Sequence, residues 1–212
     1  FWEYDGQETS DIKNLLLKFN AVSVRERSAQ RLLRDKINVD SEFTLDPTLL
    51  LEAKDYEDII EHGSTVKPSG EIFAYILDDS GDKRNILRIV EDRLNLKSYT
   101  ITPYGLNSNK QCSSVAQWLR SFKDADFVVC DSFHGCVFSI IFRKPFIAIA
   151  NTQRGNTRFD SLFQMFDITE RLIEKASDLD FDFRQINWEA VELRLKDMQL
   201  LSLEYLKNSL NA

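Results

Sequence analysis

The feature that most constrains the fold is an alternation of short apolar runs and helical patterns between residues 72 and 150. Apolar runs at 72–77, 127–130 and 145–150 predict buried strands, and residues 98–102 predict a further strand. Apolar residues at helical spacing fill the chain between them. Strands joined by helices form parallel sheets through right-handed crossovers. The pattern therefore predicts an α/β fold, with a Rossmann-like parallel sheet and helices on both faces.

The first 68 residues contain too few elements for a complete domain. Helices are predicted at 11–20 and 28–36, and short strands at 21–24 and 43–45. The chain also opens with Phe-Trp-Glu-Tyr rather than with Met. We therefore expect further residues upstream and interpret residues 1–68 as the remnant of an N-terminal Rossmann-like domain.

The segment 62–70 contains glycine, proline and serine and is the predicted linker. Residues 69–185 should then form a C-terminal Rossmann-like domain. The tail, residues 186–212, has apolar residues at helical spacing and predicts a long amphipathic helix that packs back against the first segment. Ser114-x-x-Gln117, just before a predicted helix, is typical of a capping box.

Composition and charge exclude several classes of function. The net charge of −7 gives no basic surface for nucleic acid, so an anionic substrate would need a local cluster of arginine and lysine. No apolar run approaches the ~20 residues that a membrane-spanning helix needs. The three cysteines form no Cys-x-x-Cys pair, which indicates neither a zinc site nor a disulfide framework. We expect a reducing compartment and no bound metal.

Ligands of open α/β sheets bind at the carboxyl ends of the strands, and one such end carries Asp131-Ser132-Phe133-His134-Gly135. Unpaired amides and the dipole of the following helix would favour an anion there and lower the pKa of a nearby imidazole. A bound phosphate or carboxylate would raise that pKa again, so the position suits a proton donor that works near neutral pH. Gly135 would allow a ligand or the backbone to approach closely. The alternatives are structural: Asp131 or Ser132 as a helix N-cap, and His134 as a hydrogen-bonded structural residue.

Arginines supply the second candidate constellation. Arg154 and Arg158 follow the predicted strand at 145–150, in a loop that contains glycine, and guanidinium groups bind carboxylate and phosphate in bidentate fashion. Arg25 likewise ends a predicted strand in the first segment. The alternatives are solvated surface charge for the first two and an ion pair with Glu26 or Asp46 for Arg25.

Several blocks of the chain together resemble the polysaccharide pyruvyl transferase family. The most specific is the Asp-Ser-Phe-His-Gly segment with the apolar helix after it, and the resemblance extends over about residues 20 to 175. The matching blocks are Ala21 to Ser28, Leu45 to Leu50, Val129 to Ile140, Lys144-Pro145-Phe146 and Arg154-Gly155-x-x-Arg158-Phe159.

The resemblance implies a bacterial transferase of surface polysaccharide and exopolysaccharide biosynthesis. Such an enzyme moves pyruvate from phosphoenolpyruvate onto two hydroxyls of a hexose, forms a cyclic ketal and releases phosphate. It implies a site without cofactor or metal, in which His134 is the catalytic residue. The substrate-binding residues that it implies are Arg25, Asp131, Ser132, Gly135, Arg154 and Arg158.

The resemblance also implies the C-terminal half of a GT-B-like two-domain fold, with the donor on residues 69–185. The acceptor would be a lipid-linked or nucleotide-linked intermediate, met in the cytoplasm at the inner face of the cell membrane without a membrane span. Members of the family begin with a Gly- and Asn-rich βα unit that is not found here, so we expect an incomplete chain with little activity alone. Some relatives have an arginine two residues before the histidine, where this chain has Ser132.

Two other functions stay open at this point. One is a GT-B-type glycosyltransferase that uses a nucleotide sugar, in which Asp78 or Asp79 would bind the ribose hydroxyls. The other is a non-catalytic fragment that binds the donor but lacks the acceptor half. Binding of phosphoenolpyruvate compared with binding of a nucleoside diphosphate separates the first of these from the pyruvyl transferase.

Overall fold

Residues 6–101, 113–150 and 156–211 are described by a computed structural model of the chain. In chain order the helices are α1 (Gly6–Leu16), α2 (Arg27–Leu32), α3 (Ala53–His62), α4 (Gly81–Leu94), α5 (Val115–Asp124), α6 (Phe133–Ile141), α7 (Thr157–Phe166) and α8 (Trp188–Leu210). The strands are β1 (Ser23–Val24), β2 (Glu42–Phe43), β3 (Ile72–Tyr75), β4 (Ser98–Tyr99), β5 (Phe127–Cys130), β6 (Phe146–Ile149) and β7 (Leu172–Ile173). A π-helical turn continues α2, and 3-10 turns occur at Pro47–Leu50, Thr169–Arg171 and Ala176–Leu179.

The chain divides into two compact units that differ from the expected domains. The first unit consists of Phe1–Leu50, Thr157–Asp167 and Glu189–Ala212, and the second of Leu51–Asn156 and Ile168–Trp188. Helix α7, expected in the C-terminal domain, therefore belongs to the first unit, and α3 and the linker segment belong to the second. The physical reason is packing. Each helix belongs to the unit against which its apolar face is buried, and the position of the helix in the sequence does not show which unit that is.

The second unit contains a five-stranded parallel sheet in the order β4-β3-β5-β6-β7. Strands β3 and β5 pair along their whole length, from Ile72 opposite Phe127 to Tyr75 opposite Cys130. The predicted parallel α/β architecture is thus confirmed. Strand β7 was not predicted, because the two apolar residues Leu172 and Ile173 stand between charged residues and are too few to show a period.

Helices cover both faces of this sheet. On one face, α4 packs its apolar stripe, including Ile86 and Val90, against Ile72 and Val129. On the other face, α5 and α6 pack through aromatic rings, with Phe122 edge-to-face against Phe73 at 4.9 Å between ring centroids. Edge-to-face pairs add to the stabilisation that area burial provides. This aromatic packing accounts for part of the high phenylalanine content of the sequence.

The predicted linker is hydrogen-bonded to α5 through the backbone of Val66, whose side chain is exposed. Ser114 caps α5 by accepting a hydrogen bond from the Gln117 amide at 3.1 Å, as predicted. The Gln117 side chain does not complete a capping box, since it bonds both backbone groups of Val66, at 2.6 and 3.0 Å. Tyr56 of α3 packs edge-to-face on Phe138 of α6 at 4.9 Å. These contacts place the unit boundary at residue 51 instead of 69.

The first unit is built from distant parts of the sequence. Strands β1 and β2 pair in parallel. Helix α8 packs back on this segment, where the Ser202 hydroxyl accepts a hydrogen bond from the buried Leu45 amide at 3.0 Å. Gln199 donates to the Leu49 carbonyl at 2.7 Å. Among the helices that the structure describes, none is long and apolar enough to cross a membrane.

We predict that Ser202→Ala lowers the free energy of unfolding by about 1–3 kcal/mol, because the buried Leu45 amide would lose this acceptor. Urea unfolding followed by circular dichroism measures the change. Ser209→Ala on the same helix is the control, since the Ser209 hydroxyl bonds only its own helix, at the Tyr205 carbonyl. We expect that change to stay within about 0.5 kcal/mol. Equal losses in the two variants would contradict the assigned role of Ser202.

Candidate active site

The buried carboxylate of Asp131 joins two strand ends of the parallel sheet. It accepts hydrogen bonds from the amides of Leu77 and Asp78, at 2.7 and 3.0 Å, in the segment after β3. It also accepts from the Lys83 ammonium at 2.6 Å. The segments that follow β3 and β5 are therefore in contact at the carboxyl edge of the sheet.

Lys83, the cationic partner of Asp131, was not among the predicted site residues. It lies in the first turn of α4, after Ser80, whose hydroxyl caps the helix by accepting from the Lys83 amide at 3.3 Å. The residue is only 8% exposed. The signal was present in the spacing: Lys83 stands three residues before Ile86 and seven before Val90, so it continues the apolar stripe of the helix. A lysine in that position indicates a buried anion nearby.

Asp131 does not have the structural role that was considered for it, and its role in substrate binding stays a prediction. It does not cap α6, because the N-cap residue is Ser132, whose side chain makes no cap hydrogen bond. The carboxylate is directed to the segment after β3 and to Lys83. Direct substrate binding by Asp131 would therefore require a ligand to displace bonds that satisfy a buried charge.

His134 occupies the first turn of α6. The helix follows β5 directly, and its residues from Gly135 to Ile141 are buried, while His134 itself is half-buried. The imidazole packs edge-to-face on the Phe133 ring, with 5.4 Å between centroids. Amides in the first turn of a helix have no acceptor within that helix, and the dipole favours negative charge there. The predicted position of the histidine, at the start of a buried helix, is confirmed.

Gly135 serves close packing between helix and strand. A Cβ atom at this position would lie 2.8 Å from Cβ and 2.9 Å from Sγ of Cys130 in β5. The expected close approach was by a ligand or by the backbone. The structure shows Cys130 of β5 close to Gly135, and approach by a ligand stays a prediction. Cys136, the next residue of α6, is a buried free cysteine. Burial raises the pKa of its thiol well above the ordinary value, so the thiol stays protonated and is a poor nucleophile.

Arg25 forms the ion pair that was left open as its structural alternative. Its guanidinium donates to the Asp46 carboxylate, which is 3% exposed. Burial raises the pKa of Asp46, but hydrogen bonds from Thr48 and Arg25 outweigh burial, and the pKa lies below its ordinary value. Arg25 thus helps to keep a buried carboxylate charged in the first unit.

Arg158 lies at the start of α7, also in the first unit. Its guanidinium is 3.7 Å from the Glu26 carboxylate, and its side chain is 48% exposed. Thr157 donates a second bond to Glu26, at 3.1 Å. Arg154 lies outside the described residues, so the predicted pairing of the two arginines in one clamp stays a prediction. His134 belongs to the second unit.

Within residues 6–101, 113–150 and 156–211, no group of three or more His, Cys, Asp or Glu side chains is placed to hold a metal ion. At this edge of the sheet, the groups available for chemistry are the His134 imidazole, at a helix N-terminus, and the buried Lys83–Asp131 pair. Such an arrangement can hold an anion and move a proton.

We predict that Lys83→Met destabilises the protein by about 3–5 kcal/mol, because the Asp131 charge would stay buried without its cation. Urea unfolding measures the loss. The double variant Lys83→Met with Asp131→Asn should recover part of it, since it leaves no buried charge. Lys97→Met, at an exposed position of the same unit, is the control and should change little. A single variant as stable as this control would contradict the importance of the pair.

We also predict that Gly135→Ala costs about 1–3 kcal/mol, because the added methyl would overlap Cys130 and force the helix from the strand. Gly81→Ala is the matched control, since a Cβ at Gly81 meets nothing within 4 Å. Thermal unfolding of both variants measures the difference. Equal stability of the two variants would show that α6 has room to move.

Comparisons with known proteins bear on this site. No curated protein matches the chain. One similar solved structure is described as a crystal structure of the glycotransferase of kitacinnamycin, with 12% identity and a TM-score of 0.32, covering 70% of this chain and 40% of that one. The family model for polysaccharide pyruvyl transferase matches residues 1–153, which include β1, the Lys83–Asp131 pair and His134. The chain therefore belongs to the polysaccharide pyruvyl transferase family.

Proposed function

We propose that the protein transfers pyruvate from phosphoenolpyruvate to a hexose of a surface polysaccharide precursor and forms a cyclic ketal. One observation carries the proposal: within the region matched by the family, His134 stands half-buried at the start of α6, at the carboxyl edge of a parallel sheet. This is the edge at which open α/β sheets bind their ligands. Membership of the family indicates a transferase that acts on a polysaccharide. Phosphoenolpyruvate as the donor and a cyclic ketal as the product are the finer part of the proposal.

The proposed chemistry balances without a cofactor. His134 protonates the terminal carbon of the enol, which becomes the methyl group, and C2 becomes electrophilic. One sugar hydroxyl attacks C2, the C2–O bond to phosphate breaks, and inorganic phosphate leaves. A second hydroxyl of the same hexose then attacks C2 and closes the ring. The two hydroxyl protons replace the proton taken from the imidazole and complete the protonation of phosphate.

The N-terminus of α6 supports the binding of an anionic donor. Phosphoenolpyruvate carries a carboxylate and a phosphate, and both the dipole and the amide hydrogens of a first helical turn favour such groups. The Lys83–Asp131 pair adds no net charge at this edge, but it fixes the turn from β5 into α6. We therefore assign Lys83 and Asp131 as positioning residues and Ser132 as a residue near the donor.

Arg25, Arg154 and Arg158 are the proposed cations for the donor. Of the two arginines that the structure describes, Arg158 would bind a donor at the lower cost. Its guanidinium is 3.7 Å from the Glu26 carboxylate, and its side chain is 48% exposed. Exposed ion pairs of this kind contribute about 0–1 kcal/mol. Arg25 would have to leave the buried carboxylate of Asp46, which costs more. We propose that Arg25 acts mainly by ordering the first unit.

We further propose that the second unit is the donor-binding half of a GT-B-like architecture. Its support is the five-stranded parallel sheet that carries the Asp-Ser-Phe-His-Gly segment at its carboxyl edge. A lipid-linked or nucleotide-linked hexose is the proposed acceptor, and the cytoplasmic face of a membrane is the proposed place of reaction.

We predict that His134→Ala lowers phosphate release from phosphoenolpyruvate, in the presence of candidate acceptors, by at least about a hundredfold, the usual scale for a lost general acid. Affinity for phosphoenolpyruvate, measured by calorimetry, should change far less, because the imidazole acts on the reacting carbon. His62→Ala is the matched control, since His62 is exposed and its ring bonds only the Asp58 carbonyl of its own helix.

Two results would contradict the proposal. One is unchanged phosphate release in His134→Ala. The other is tight binding of a nucleoside diphosphate together with no binding of phosphoenolpyruvate, which would favour transfer from a nucleotide sugar. The binding measurement keeps the test informative where turnover is slow.

A further inference from the structure

A cleft of about 470 Å³ lies in the first unit, between α2 with its π-helical turn and α7. Cavities of this size hold small organic molecules rather than single ions. Its charged lining groups are the guanidiniums of Arg27, Arg31 and Arg34 and the carboxylate of Asp160, which leaves a net of two positive charges. This local sign is opposite to that of the whole protein, whose net charge is −7. The cleft is therefore suited to an anion that carries more than one negative charge.

The three arginines share one face of a helix. Their spacing, four and then three residues, places them as successive neighbours along α2 and into the turn Leu33–Ile37. Like charges at this spacing destabilise a helix, and a bound anion would remove the repulsion. Over the described ranges, the one carboxylate within ion-pair distance of these arginines is that of Asp35, 3.6 Å from exposed Arg34.

The backbone at this face is also unusual. Helix α2 changes into a π-helical turn at Leu33, and the turn ends at Asn38, which has a left-handed backbone with φ of 54°. Turns of this kind occur often at functional sites, because they widen a helix locally and redirect side chains. Arg31 and Arg34 lie on either side of the change. The arginine face therefore coincides with an irregular stretch of helix.

Two contacts prepare the cleft for hydrogen bonding to a ligand. The Arg27 guanidinium stacks on the Phe43 ring at 4.4 Å, and stacking leaves the N–H groups in the guanidinium plane available. On the opposite wall, Ser161 is only 7% exposed and accepts a hydrogen bond from the Arg27 amide at 3.3 Å. Within the described part of the chain, no acceptor receives the hydroxyl hydrogen of Ser161, which remains for a ligand.

We infer that this cleft binds a phosphate-bearing ligand, a phosphate monoester or a diphosphate, through Arg27, Arg31 and Arg34 with Ser161. Guanidinium groups bind phosphate oxygens in bidentate fashion, and three of them with a buried hydroxyl match a group that has several acceptor oxygens. The net positive charge of the cleft attracts a doubly charged phosphate more strongly than a singly charged carboxylate, because Coulomb attraction grows with the charge of the ligand. The size of the cleft leaves room for the organic part of the ligand. No residue proposed for the pyruvyl donor lines it.

The test is calorimetric titration of the protein with inorganic pyrophosphate in a chloride buffer. We expect saturable binding that weakens at least about tenfold in Arg31→Gln, which removes one charge-assisted contact. Lys36→Gln is the matched control, since it removes one exposed positive charge from the same π-helical turn but from outside the cleft. We expect it to bind as the unchanged protein does, and circular dichroism checks that both variants are folded.

Further arms identify the source of the phosphate and separate this site from the proposed donor site. Vesicles with phosphatidylglycerol replace pyrophosphate in one arm; binding there that is lost in Arg31→Gln assigns the phosphate to a lipid and also supports the site. Arg158→Gln, which removes a proposed donor cation that does not line the cleft, should bind pyrophosphate normally, whether or not the proposed transfer occurs. The inference is overturned by no binding of either probe, by equal losses in Arg31→Gln and Lys36→Gln, or by loss of pyrophosphate binding in Arg158→Gln.

Discussion

The buried carboxylate of Asp131 is the constraint on which the candidate site depends. A charge in the interior must be paired and hydrogen-bonded, and this one receives two amides after β3 and the Lys83 ammonium at 2.6 Å. The segment after β3, the first turn of α4 and the end of β5 are therefore fixed relative to one another. His134 follows three residues after Asp131, so the bond network of Asp131 helps to fix the position of the imidazole.

Packing in the core fixes the same turn from the other side. Helix α6 is buried from Gly135 onward, and Gly135 lies so close to Cys130 that no side chain fits between them. The rings of Phe73, Phe122 and Phe138 fill the space between this helix, α5 and the sheet. A helix held by both apolar packing and a buried ion pair presents its first turn in one orientation, which is what proton transfer to a bound substrate requires.

The first unit presents its cations in two different ways. Arg25 and Arg158 each lie near a carboxylate, so an anionic ligand must exchange a contact to use them. Arg27, Arg31 and Arg34 face a wall that supplies a hydroxyl and one exposed carboxylate. Within the described residues their ion pair is the exposed one of Arg34 with Asp35 at 3.6 Å, so a ligand there disturbs little. The contrast separates arginines that order the unit from arginines that are available to bind.

The sequence by itself determined the elements and the position of the histidine, because apolar periodicity and turn residues act locally. The strand Phe127–Cys130 has the predicted bounds, and the Asp-Ser-Phe-His-Gly segment lies at the predicted strand end. Only the tertiary structure decided which charges meet. Lys83 and Asp131 are 48 residues apart, and α7 joins the first unit although it follows the sheet of the second. Such pairings depend on long-range packing, on which local sequence patterns carry no information.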